Sequence, residues 1–299
     1  MYIGIDHGTS AMRFSGGEGH RFKISREEAV RFEIGDLSAI CPIGEIQGIA
    51  LSYSMGDNFS AISPLSALAN RGLISRGGAG KHTGGGTRVF DQVAKSGIPA
   101  VAVPGLHRRS PTDPRFRVYS HQASPEKVGI AFRVVRDLGG DVVVSDISSN
   151  TVTLLVADGK LRGALDACIF APGTEHGAID VEAIRKIDSG EISANEAFLS
   201  AGVNHTLPPE ERLPALALFA AMECAALLLL NPRARVALAG SMAGHVGDMV
   251  SDLLGRKVTL YDEWCAADGL SLIAEQVFSG RITEILGLPV APGNHISTF

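Results

Sequence analysis

The feature that most constrains this chain is a hairpin that occurs twice. Residues 3–14 read IGIDHGTSAMRF and residues 143–156 read VVSDISSNTVTLLV. Both give an apolar strand, an aspartate, one residue, a small residue, a hydroxyl residue, a polar residue and a second apolar strand. Asp6 and Asp146 hold equivalent places, and two copies of one unit predict two similar domains facing each other. The plain alternative is a chance likeness between two ordinary hairpins.

The turn chemistry gives the repeat a functional reading. Gly8 lets the backbone approach a phosphate closely, while Thr9 and Ser10 offer hydroxyl donors. Asp6 suits a hydrated Mg²⁺ ion, which takes one or two carboxylates together with phosphate and water. Equally, these residues serve as simple turn formers.

Around the hairpins, strands alternate with helices, which predicts an α/β layer architecture. A third strand is expected at residues 20–25, then a helix over REEAVRF with Ser25 and Glu28 as a capping box. Residues 46–54 read as a strand. The most glycine-dense segment, residues 70–90, leads into an amphipathic helix that stops at Gly97, followed by a buried strand, IPAVAVPG. A helix follows Ser124, with Val128, Phe132, Val135 and Leu138 on one face and Gly139 at its end. Asp158-Gly159 marks a tight turn into the strand after the second hairpin. Ser193 and Glu196 cap a further helix. Late in the chain come a strand ending at Gly240, the helix HVGDMVSDLLG, the strand KVTLYDE and a small-residue helix containing Ala266, Ala267 and Gly269. The tail LPVAPGNHISTF reads as loose extension.

Composition narrows the class. The 299 residues are 45% hydrophobic and 20% charged, as in a soluble globular protein. A formal charge of −5 argues against nucleic acid as a partner. Cys41, Cys168, Cys224 and Cys265 lie far apart, which predicts reduced thiols in a cytoplasmic protein. The chain opens directly on a strand, so no signal peptide is expected. Residues 213–230 are apolar enough to suggest a membrane span, but Glu223 at their middle points to a core helix between sheet layers, with Pro214 in its first turn. Nine histidines without HxH or HExxH spacing give no metal-site argument.

The two Asp turns, the GSMAGH turn and the final helix together resemble the actin, sugar-kinase and hsp70 superfamily. That resemblance implies an α/β fold of two related ribonuclease-H-like (actin-like ATPase) domains facing a central cleft. Residues 1–123 with 280–299 would form the first domain and 124–279 the second. It further implies ATP and Mg²⁺, with Asp6, Gly8, Thr9 and Ser10 as the first phosphate loop. Asp146, Ser148, Ser149 and Asn150 would be the second, Gly240, Ser241 and Gly244 the nucleoside-binding turn, and Asp6 and Asp146 the metal carboxylates.

A nearer likeness is to acetate and butyrate kinases. SRGGAGKHTGGGTRVF is similar to the butyrate kinase segment GRGGLLKPIPGGTY, with Arg76, Gly77, Gly78, Lys81, Gly85, Gly86 and Thr87 corresponding, and an HQA-type helix follows. The resemblance implies that Arg76 and Lys81 neutralise a transferring phosphoryl group or hold a small anionic substrate. Asp146 would act beside them, with Glu175 and His176 as local acid and base. DHGTS, SYSMGD and APGTEHG resemble the methanogenesis marker 12 family of methanogenic archaea most of all.

Two departures bear on activity. SDISSN replaces the glycine-rich HLGGG type of second loop, and Gly173-Thr174-Glu175-His176-Gly177 has no arginine where those kinases carry one. Such an arginine is worth about three to five orders of magnitude in rate in GTPases. The expectation is therefore a nucleotide-binding protein with weak or altered phosphotransfer linked to methanogenesis. The alternatives are a nucleotide-dependent switch acting on a protein partner, and a chain that has lost nucleotide binding. A homodimer is left open.

Overall fold

Strand residues such as Val142, Val143 and Val144 are apolar in succession because both sheets of this protein are covered on both faces. The computed structural model describes residues 1–9, 11–52, 59–68, 85–280 and 282–292. Ser10, Arg76, Gly77, Gly78, Lys81, the end of the strand expected over 46–54 and the last residues of the tail lie outside the described residues.

The first sheet is built from β1 (Tyr2–His7), β2 (Ala11–Ser15), β3 (Arg21–Ser25), β4 (Gly48–Ser52), β5 (Ser63–Pro64) and β6 (Ala100–Val103), in the order β3-β2-β1-β4-β6-β5. Here β1 pairs antiparallel to β2 and parallel to β4. A short hairpin, β7 (Leu106–His107) with β8 (His121–Ala123), follows. The second sheet contains β9 (Val142–Ile147), β10 (Thr151–Ala157), β11 (Lys160–Leu165), β12 (Arg235–Ala239) and β13 (Val258–Leu260), in the order β11-β10-β9-β12-β13. Again the first strand pairs antiparallel to its hairpin partner and parallel to the next strand in space. The repeated hairpin thus opens both sheets, and the strand order around it repeats.

Helices α1 (Gly85–Lys95), α2 (Pro125–Leu138), α3 (Val181–Asp188), α4 (Ala194–Leu199), α5 (Val203–Thr206), α6 (Pro209–Leu228), α7 (Ala243–Leu254) and α8 (Cys265–Ser279) complete the layers. Ile3, Ile5, Ile49 and Leu51 pack with Val89 and Val93 of α1 on one side of the first sheet. Ala50, Val101 and Val103 join the central core with α2, α8 and Val142, Val144 and Ala237 of the second sheet. Val143, Val236 and Leu238 point the other way, onto α6 and α7. This alternation along each strand is the period-two pattern of a sheet between two apolar layers.

The middle layer is unusually thin where α2 crosses α8. A Cβ on Gly269 would lie 1.9 Å from the Gly129 carbonyl oxygen, and one on Gly4 of β1 would lie 2.0 Å from that of Ala267. Close approach of backbones, rather than a turn, is what requires glycine at these places. The small residues of the last helix, Ala267 and Gly269 among them, make this close packing possible.

Several local expectations are corrected. Ser25 and Glu28 exchange the two capping-box hydrogen bonds, at 3.1 and 2.7 Å. Only a 3-10 turn, Glu28–Arg31, follows, because it buries Ala29 alone and has no apolar stripe to support an α-helix. The HQA segment is strand β8 rather than helix. The apolar helix α6 begins at Pro209, so Pro214 lies inside it. It forms an outer layer, with Leu218 and Met222 exposed, while α2 and α8 are the helices between the sheets. The start of the tail is ordered: β14 (Glu284–Ile285) pairs with β15 (Leu288–Pro289), and Ile62 bridges Val290. By contrast, Asp158 and Gly159 have φ of 52° and 71°, as the expected tight turn requires. Ser193 and Glu196 form a complete capping box on α4.

Candidate functional site

The carboxyl ends of β1, β9 and β12 meet at one pocket. In open α/β sheets such carboxyl ends are where ligands gather, since the following turns leave backbone groups unpaired. Asp6, Gly8 and Thr9 line one wall, and Asp146, Ser148, Ser149 and Asn150 line another. Gly240 and Ser241, just past β12, complete a third side. The structure therefore brings together most of the residues expected in the two phosphate turns and the nucleoside turn. Gly244, inside α7, is not among the lining residues.

Asp6 faces Arg13 across the first hairpin, in register, with Nη1 3.4 Å from Oδ2. Arg13 also donates to Glu263 at 2.6 Å, and Lys23 reaches the same carboxylate at 3.0 Å. The other Asp6 oxygen, Oδ1, is buried and has no hydrogen-bond partner among the described residues. Burial, reinforced by nearby Glu126, raises the Asp6 carboxyl to about 7, against the opposing pull of Arg13 and Lys127.

Asp146 sits in different company. Lys127 Nζ, from the first turn of α2, lies 2.6 Å from Asp146 Oδ2 and 3.0 Å from Glu126 Oε1. Ser148 Oγ donates to Asp146 Oδ1 at 3.0 Å and accepts from the Ser241 backbone N–H at 3.2 Å. Met242 N–H donates to the Ile147 carbonyl at 2.9 Å. These bonds fasten the second Asp turn to the turn after β12. At Gly240, whose φ is +95°, a Cβ would lie 2.2 Å from Asp146 Oδ1 and 2.4 Å from Ser148 Oγ, so glycine keeps that corner open.

Glu175 and His176 do not line the pocket. Their loop is strapped to the outside of the second turn: Thr174 N–H donates to the Ser148 carbonyl, and Glu175 and His176 N–H to that of Ser149. Glu175 is engaged with Asn204 and His205, at 2.6 and 2.9 Å. His176 is buried, stacks on Phe198 at 4.8 Å, and its Nδ1 meets Asn150 Oδ1. With that oxygen accepting from His176, the amide nitrogen of Asn150 is left as a donor on the pocket side.

Arg13, Glu126, Lys127 and Glu263 line the pocket and were missed in the sequence. One signal for Lys127 was available: a lysine in the first turn of a helix opposes the helix dipole and calls for nearby acids. Arg13 was legible only through hairpin register, two strand positions being opposite each other. Among the described residues, no three His, Cys, Asp or Glu side chains cluster closely enough to hold a metal ion by themselves.

No family model matches the chain. A UPF0285 protein from Methanosarcina mazei is 47% identical over an alignment of 322 positions, gaps included, covering 97% of this chain and 98% of that protein. A propionate kinase from Francisella tularensis superposes with a TM-score of 0.58 at 12% identity, covering 89% of this chain and 98% of that one. An acetate kinase from Porphyromonas gingivalis gives 0.53 at 11% identity, with 88% and 90% covered. At such identities the structural likeness shows the fold alone: mixed α/β sheets arranged as in those two kinases. The chain belongs to the UPF0285 family.

Proposed function

We propose that this protein binds ATP with Mg²⁺ between its two Asp turns, and that any phosphotransfer it performs is weak or altered. Phosphates would lie against Gly8, Thr9 and the Ser148–Asn150 turn, with the nucleoside toward Gly240 and Ser241. One observation carries this reading: the equivalent turns of two separate sheets line a single pocket. The enclosed part measures about 70 Å³, room for a few waters or one phosphate group, so the nucleoside would occupy the open rim.

The residues fit the metal. Asp6 Oδ1 is a buried oxygen without a partner, the donors are hard oxygens, and a hydrated Mg²⁺ asks for only one or two carboxylates. When bound, the ion would neutralise phosphate charge. Arg13 and Lys127, the cations lining the described pocket, would hold phosphate oxygens; the anion-binding role that the resemblance implies for Arg76 and Lys81 remains part of this proposal.

A second reading, a nucleotide-dependent switch for a protein partner, is favoured by the ionic state of Asp146. Lys127 already neutralises it, and Glu175 and His176 stand outside the pocket, which leaves the second turn without a free base. The relative from a methanogen supports a role in that physiology, and the likeness to methanogenesis marker 12 belongs to the same reading. The four cysteines, none in a disulfide, support a reducing cytoplasm, and no helix among the described residues is long and apolar enough to cross a membrane. We divide the chain into lobes 1–123 with 280–299 and 124–279; the membership of the two sheets supports this.

Equilibrium dialysis with labelled ATP and Mg²⁺, followed by turnover assays on carboxylic acids and sugars, tests both readings. Binding with turnover supports the kinase, binding without turnover supports the switch, and no binding at millimolar ATP removes both.

A further inference from the structure

Lys127 is the most confined cation in the pocket. Its side chain is 6% exposed and its ammonium touches two carboxylates, Asp146 on β9 and Glu126 on its own helix. Asp6 on β1 faces it from the opposite wall, and Arg13 and Glu263 close the same space. Burial and the start of a helix both disfavour a cation here. The two carboxylates reverse that and hold the ammonium above the ordinary lysine range. An ammonium has three N–H donors, so two held by carboxylates leave one for a ligand.

Building on the nucleotide reading, on which it rests, we propose that Lys127 is a positioning residue that fills the cation place between Asp146 and Glu126 in the nucleotide-free protein, making divalent-cation binding conditional on the triphosphate. A lone divalent ion reaching Asp146 must break a buried ion pair and strand the lysine charge, a costly exchange. A triphosphate that arrives with the ion offers phosphate oxygens to the displaced ammonium and removes that obstacle. Cation and nucleotide then enter together.

The test is a Mn²⁺ titration followed by electron paramagnetic resonance, without nucleotide. The parent protein should show no tight site, whereas Lys127→Met should bind Mn²⁺ about tenfold more tightly or better, since the freed carboxylates recover a cation. Lys127→Arg should behave as the parent, and adding Asp146→Asn to Lys127→Met should abolish the gain. A parent that binds Mn²⁺ as well as Lys127→Met, or a folded Lys127→Met without gain, overturns the proposal. If Lys127→Met does not fold by circular dichroism, Lys127→Gln, whose amide can bond both carboxylates, takes its place with the same two outcomes. A second arm adds a non-hydrolysable ATP analogue to the parent, where Mn²⁺ should now bind. Failure of the analogue itself to bind sinks the nucleotide reading, while the nucleotide-free comparison still judges the lysine.

Discussion

Asp6 and Asp146 occupy equivalent positions in two hairpins, yet their ionic surroundings differ. Asp146 is held by a buried ammonium at 2.6 Å, while Asp6 has a looser arginine at 3.4 Å and one bare oxygen. With the Asp6 carboxyl near 7, ATP·Mg²⁺ affinity should rise between pH 6 and pH 8 as that group ionises. Calorimetric titration across this range checks it: Asp6→Asn should remove the slope, and a flat parent profile would contradict the assignment. His176 acts at one remove, fixing the Asn150 amide. His176→Ala should weaken ATP binding by about fivefold, near 1 kcal/mol, with no change in turnover per bound nucleotide.

Glu223 illustrates a buried acid outside the site. It is 1% exposed on α6, Ala171 N–H donates to Oε1 at 3.2 Å, and Thr153 and Ala171 together only partly offset its burial. Burial raises its carboxyl to about 8. A raised carboxyl favours the native state while protonated. The unfolded chain ionises near 4.5 and the folded one near 8, so this contribution is complete below 4.5 and lost as pH climbs toward 8. Glu223→Gln should flatten that decline and add on the order of 3 kcal/mol at pH 8, read from urea unfolding at several pH values.

At the scale of elements, the crossing of α2 and α8 links the two sheets. Gly129 and Gly269 allow backbone contact there, and Ser15 Oγ and Arg21 both bond Asp268, fastening α8 to the first sheet. Gly269→Ala places a methyl against the Gly129 carbonyl and should destabilise by about 1–3 kcal/mol or more, measured as a lower urea midpoint. The hairpins, the two glycine-stopped helices and the capping box on α4 were legible because they rest on local chemistry: Asp-turn residues, Gly97 and Gly139, Ser193 with Glu196. The outer position of α6 was not. Its sequence is apolar on every side, so periodicity could not say which face meets a sheet, and only the packing of Leu216 and Ala220 decides it. The α-helix expected after Ser25 failed for the opposite reason, good capping without an apolar stripe behind it.

Over the whole molecule, the order of the five-stranded sheet recurs within the six-stranded one, and the Asp turn of each lines one pocket. The sequence repeat foretold an Asp turn at the end of the opening strand of each sheet. What it could not foretell was the lining drawn from elsewhere. Lys127, Arg13 and Glu263 come from a helix start, a register partner and a loop before α8, and no local motif ties them to either turn. Their charges also account for the difference between the two aspartates.

The central claim is that the two turns form one nucleotide site. Thermal unfolding with and without ATP and Mg²⁺, for the parent and for Asp6→Ala, tests it most directly. Ligand at about a hundred times its dissociation constant should add roughly 2.7 kcal/mol of stability to the parent and raise its midpoint clearly, while Asp6→Ala shows little or no rise. A parent whose midpoint does not move at millimolar ATP, or an Asp6→Ala variant that shifts as far as the parent, would contradict the account.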